Sequence, residues 1–101
     1  MSRFFALILM VLAAFCLSAA PDGNQGEVIY QARCSVCHGK EGVPKSFAKG
    51  SPAFNDEAWQ KATSVESIER VVAEGRNKMP AFRNKLTQEE IRSVAVHLKT
   101  L

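Results

Sequence analysis

The sequence predicts an all-α domain of three to four helices, and three observations carry that expectation. Apolar residues recur at helical spacing in two stretches, Val65-Ile68-Val71-Val72 and Ile91-Val94-Ala95-Leu98. Each stretch opens on a pattern of Ser or Thr followed three residues later by Glu, at Thr63–Glu66 and Thr87–Glu90. In such a box the two end side chains satisfy each other's backbone N–H. No segment shows the apolar–polar alternation of a half-buried strand.

Taken in order, the chain begins with Arg3, an unbroken apolar run over residues 4–15, and the small residues Ser18, Ala19 and Ala20. That is the order of a secretory signal peptide. Cleavage near Ala19 or Ala20 divides the 101 residues into a signal peptide, 1–20, and one domain, 21–101. An uncleaved anchor is the alternative, although an apolar core of about 12 to 17 residues is short for a membrane span. Lipid attachment at Cys16 is a third possibility, against which stands Phe15, where a small residue is wanted.

The first helix of the domain is expected over Gly26 to Val36, with Val28, Ile29, Ala32 and Val36 as its apolar positions. Gly39 to Phe54 holds Gly39, Gly42, Pro44, Gly50 and Pro52 and reads as a loop. Asn55 can cap a short helix containing Ala58 and Trp59. The helix opened by the Thr63 box ends at Gly75. Arg76 to Leu86 is a loop carrying Met79-Pro80-Ala81-Phe82, and the Thr87 box opens the last helix.

The chemistry is concentrated in Cys34-Ser35-Val36-Cys37-His38, five consecutive residues that specify one covalent haem c. Each thiol can add to one haem vinyl group, and His38 is carried to the iron by the bonds that fix the ring. Outside the leader, Cys34 and Cys37 are the only cysteines, His38 and His97 the only histidines, and Met79 the only methionine. Met79 is therefore the candidate second axial ligand. Its thioether is soft and neutral, which favours reduced iron and raises the potential. Pro80 biases it toward an extended backbone. A plain loop or core methionine is the alternative, and His97, at the edge of the last helix's apolar stripe, is the rival ligand. With both axial positions filled, small substrates cannot reach the metal. No Ser-His-Asp set, phosphate loop or spaced carboxylate pair suggests another reaction, so no enzyme is expected.

These residues resemble class I cytochrome c, and more narrowly the cytochrome c6 type. The resemblance is carried by Cys34 to His38, by Ser64 to Ile68, by Gly75 to Phe82, and by Leu86-Thr87 with Glu90-Ile91. It implies a small fold around one haem, thioethers at Cys34 and Cys37, axial ligands His38 and Met79, and a one-electron carrier between redox proteins. It further implies a close crossing of first and last helices at Gly26 and Tyr30 against Val94 and His97, with His97 where the family has an aromatic residue. A loop proline, Pro52 or else Pro44, would accept a hydrogen bond from the proximal imidazole. Trp59 would donate to a haem propionate or simply pack in the core.

Charge supports a protein partner and not a nucleic acid. The whole chain carries +3, and 21–101 carries +2, since only Arg3 is lost with the leader. Lys40, Lys45, Lys49, Arg76, Lys78, Arg83 and Lys85 fall in segments expected at the haem rim, where cations steer docking onto an acidic redox partner. The expected product is a monomer, exported to the periplasm, or to the thylakoid lumen of a photosynthetic host. Proximity to a membrane is compatible with that role. Three other readings remain open on sequence: a membrane-tethered redox subunit, a haem enzyme or gas sensor with an open distal site, and a non-haem site. The last would be zinc on Cys34, Cys37, His38 and His97, or a redox disulfide.

Overall fold

The computed structural model describes residues 23–101; the expected leader and Cys16 lie outside the described residues. One continuous helical run opens the domain. It begins as α1 (Gly23–Ile29), widens into a π-helical turn over Tyr30–Cys34, and closes as α2 (Ser35–His38). The first helix is thus longer than the apolar spacing indicates, and it contains the whole Cys-x-x-Cys-His motif. A single 3₁₀ turn, Ser46–Ala48, interrupts the following loop. Then come α3 (Glu57–Ala62), α4 (Val65–Glu74) and α5 (Gln88–Leu98). With α1 and α2 counted as one run, four helical bodies are present, and among the described residues β-pairing is confined to an isolated bridge between Arg76 and Met79.

The caps decide where each helix starts, and two of them differ from expectation. Asp56, not Asn55, caps α3 by accepting the Trp59 N–H at 3.0 Å. Ser64, not Thr63, caps α4, accepting from Ser67 N–H at 3.1 Å while the Ser67 hydroxyl donates to Ser64 O at 2.8 Å. Thr63 is extended, ends α3, and gives its carbonyl to Lys99 Nζ at 2.7 Å. Glu66 therefore falls one position too early to complete a box. The box at α5 does form, with Thr87 N–H to Glu90 Oε1 at 2.9 Å and Glu90 N–H to Thr87 Oγ1 at 3.1 Å.

Helix α5 is the hub, packing across both α1 and α4. Its crossing with α1 is close at Gly26, where a Cβ would fall within the van der Waals shell of the Ser93 carbonyl and 2.9 Å from Val94 N. Tyr30, fully buried, meets His97 across the same crossing with ring centroids 5.3 Å apart. His97 is buried there, and its Nε2 has no hydrogen-bond partner among the described residues. Ile68 and Val72 of α4, Ile91, Val94, Ala95 and Leu98 of α5, and Phe82 and Leu86 between them close the core.

Candidate functional site

The motif residues stand at the end of the first helical run: Cys34 ends the π turn, and Cys37 and His38 lie in α2. Their placement is enforced from the core. The Tyr30 hydroxyl donates to Gly39 O at 2.6 Å and to His38 O at 3.3 Å, fixing the backbone that carries the imidazole. Lys45 N–H donates to Cys37 O at 3.0 Å. The His38 ring stacks on Phe54 (4.8 Å, 28°), and Phe54 in turn packs against Trp59 at 4.9 Å. Gln60 Nε2 holds the Phe54 carbonyl at 2.6 Å and the Leu98 carbonyl at 2.7 Å, while Lys99 Nζ donates to Gln60 O.

Burial sets the protonation of these groups. It lowers the His38 pKa below the usual imidazole value, so the ring is neutral at pH 7 and keeps a lone pair for a metal. Burial pushes the Cys34 thiol up to about 11, with Arg33 opposing and Cys37 adding to the shift. A thiol held protonated at neutral pH is a poor thiolate nucleophile, which weighs against disulfide chemistry. Among the described residues no three His, Cys, Asp or Glu side chains converge on a metal-sized point, and His97 is occupied against Tyr30. The zinc reading has no geometry behind it.

Met79 reaches the site by a different device. Helix α4 stops at Gly75 (φ 73°), whose N–H donates to Val71 O at 2.8 Å. Arg76 and Met79 then exchange backbone hydrogen bonds, N–H to O at 3.1 Å one way and 2.9 Å the other. The chain beyond is tied to α4 by Phe82 N–H to Val72 O at 3.0 Å and Arg83 N–H to Ala73 O at 3.1 Å.

Although Met79 lies 41 positions after His38, one cleft of roughly 1160 Å³ is lined by both, together with Cys34, Cys37, Pro52, Phe54, Trp59, Ile68, Val72 and Phe82. Ordinary small-molecule sites span about 300–1,000 Å³. An apolar space this large, bordered by two thiols, a neutral imidazole and a thioether, fits a porphyrin and its iron. Among the described residues His38 Nδ1 is buried without a hydrogen-bond partner and its ring stacks on Phe54, while Pro52 lines the same cleft.

The comparisons with known proteins agree with this geometry. Residues 21–98 match the family model described as cytochrome c oxidase, cbb3-type, subunit III. A cytochrome c6 of Gracilaria tenuistipitata var. liui is 37% identical over 81 residues, covering 78% of this chain and 72% of that one. The chain belongs to the class I cytochrome c family, of the cytochrome c6 type. Two solved structures share its fold. The c-type cytochrome KustC0563 has a TM-score of 0.71 at 33% identity, covering 74% of this chain and 94% of its own. Cytochrome c6C from Synechococcus sp. PCC 7002 has a TM-score of 0.65 at 32% identity, covering 75% and 92%. This cytochrome is accordingly a haem-binding electron carrier.

The charged rim is narrower than the sequence suggests. Of the seven expected cations only Lys49, Arg76 and Lys78 line the cleft. Arg83 is turned to Glu74 at 3.6 Å, and Lys85 lies over the Phe82 ring, 5.5 Å from its centroid. Arg33, overlooked because it is embedded in the attachment helix, joins the rim. No Asp or Glu lines the cleft, and none of these four cations is in an ion pair among the described residues. Val36 and Phe47, 60% and 65% exposed, stand at the same opening. The supporting roles of Phe54, Gln60 and Tyr30's hydroxyl were also invisible in sequence, since each acts on a residue distant along the chain.

Proposed function

We propose that this cytochrome carries single electrons between redox proteins through one haem, bound covalently by Cys34 and Cys37 and ligated by His38 and Met79. The observation that carries the reading is the single apolar cleft shared by the attachment motif and the lone methionine of the domain. When bound, the haem supplies a one-electron couple. The chain's part is to hold a neutral imidazole and a thioether in place, keep water from the iron, and leave an edge open for outer-sphere transfer. Pro52 and Trp59 would line the ring's periphery.

Arg33, Lys49, Arg76 and Lys78 around Val36 and Phe47 match an acidic partner surface with an apolar centre, giving a transient contact whose association rate falls with salt. Export to the periplasm or thylakoid lumen follows from the signal-like residues 1–20. The family model's name favours a second setting, the electron-receiving domain of a membrane oxidase assembly. No described helix is long and apolar enough to cross a membrane. Fractionation of the native protein distinguishes a carrier from a tethered subunit.

The test of ligation is Met79→Ala. It should abolish the sulfur–iron charge-transfer band and lower the midpoint potential, because the neutral thioether favours reduced iron. An unchanged spectrum and midpoint would remove Met79 from the iron.

A further inference from the structure

We infer that Asn77 is a positioning residue for Met79, its left-handed backbone setting the turn that delivers the methionine to the cleft. The inference rests on the reading of Met79 as an axial ligand.

Asn77 has φ 53° and is the single non-glycine residue with positive φ among the described residues. Its side chain is exposed at the edge of the cleft, so packing in the protein core does not select it. The backbone does. Arg76 and Met79 can exchange their two hydrogen bonds, at 3.1 and 2.9 Å, only if the two residues between them reverse the chain. Asn is among the few side chains that tolerate the left-handed region, whereas a β-branched residue there is an outlier.

The space around the turn admits little adjustment. A Cβ on Gly75 would lie 2.7 Å from Met79 O and 2.8 Å from Ala81 N, so the loop already rests on the end of α4. Downstream, Phe82 N–H is fixed to Val72 O at 3.0 Å. Met79 is held between that anchor and the Arg76 bridge, and the bridge depends on one backbone angle at Asn77. Relaxing that angle toward negative φ opens the bridge and frees the Met79 backbone.

The experiment is an imidazole titration of the oxidised, haem-loaded protein, with the charge-transfer band recorded alongside. Imidazole competes for the axial position assigned to Met79. Wild type and Asn77→Gly should resist it alike, because glycine adopts positive φ freely. Asn77→Ala and Asn77→Val should bind imidazole about 5–30-fold more tightly, with a weakened band, as expected for the cost of a left-handed non-glycine residue. This order separates positioning from general stability, since glycine in an ordinary loop destabilises relative to alanine. Should Asn77→Val fail to accumulate, the Ala and Gly pair decides.

The inference is overturned if Asn77→Gly is as weak as Asn77→Ala. It is equally overturned if the Asn77 variants match wild type while Met79→Ala binds imidazole far more tightly. If Met79→Ala leaves imidazole affinity unchanged, the ligation reading itself falls.

Discussion

The wall of the cleft built by residues 30–38 is held by side chains, whereas the wall built by residues 75–82 is held by backbone. On the first wall a buried tyrosine hydroxyl grips two carbonyls, an aromatic ring backs the imidazole, and a glycine admits α5 against α1. On the second, a two-residue turn and two backbone hydrogen bonds to α4 fix the loop that carries Met79. The difference suits the two tasks. On the proposed reading, covalent attachment at Cys34 and Cys37 would already hold the first ligand, so the fold need only orient it. On the same reading Met79 would have no covalent tether to the ring, and its loop would have to hold it unaided. A single core substitution should therefore injure the first wall most, while the second should respond to backbone conformation.

The largest expected effect is at Gly26. Replacing it with valine drives a side chain into the Ser93 carbonyl, which belongs to helix backbone and cannot rotate away. Overpacking of this kind should cost about 3 kcal/mol, read from denaturant unfolding of the haem-loaded protein. A loss below about 1 kcal/mol would mean that the helix crossing yields, and that the first wall is not fixed through α5.

Tyr30→Phe comes next and acts within the same wall. It strips the buried Gly39 carbonyl of its 2.6 Å donor, at a cost of about 1–3 kcal/mol near pH 7. Burial is the main cause that raises the Tyr30 pKa from 10 to about 12; a Cys34 thiolate adds to the shift only where that thiol is free. A folded pKa above the unfolded one gives stability that is complete below pH 10 and is lost as pH rises through about 12. Wild type should thus lose its advantage over Tyr30→Phe across that window. Parallel pH profiles for the two proteins would show that the hydroxyl is not the group being protected. Tyr30 is the only tyrosine, so its ionisation can be followed directly by absorbance.

Much of this division was legible in the sequence, and unevenly so. The attachment motif was readable because thioether chemistry needs consecutive residues, and the helical bodies because burial imposes a period. Met79 stood out as the sole methionine beyond the leader, and Gly26 through the family resemblance. Other features had no local signature. Thr63 and Ser64 both carry a hydroxyl suited to capping; Lys99, 36 residues away, claims the Thr63 carbonyl, and the helix starts one residue later. Gln60 reads as an ordinary surface amide until the fold brings Phe54 and Leu98 to it. Asn77 lies in a stretch legible only as a loop, and nothing in Arg-Asn-Lys-Met shows which residue takes the positive φ. The proximal hydrogen bond to Pro52 or Pro44 came only from the family resemblance, since the stacking of the His38 ring on Phe54 has no local signature.

The smallest expected effect tests whether anything besides the shared core couples the two walls. Arg92 on α5 reaches α4 at Glu69, 2.9 Å away, and at Glu66, 3.9 Å away. It is the charged link between the helix packed on α1 and the helix that bears the Met79 loop. Arg92 and Glu66 are largely exposed, so water and salt screen the attraction, and ordering long side chains offsets much of what remains. Arg92→Ala should cost only about 0.2–1 kcal/mol, vanish in molar salt, and leave the Met79 charge-transfer band intact. A larger, salt-resistant loss accompanied by a weakened band would place the coupling between the walls in this ion pair. The alternative it would displace is apolar coupling through the buried residues Ile68, Val72, Ile91 and Val94, which should persist in salt.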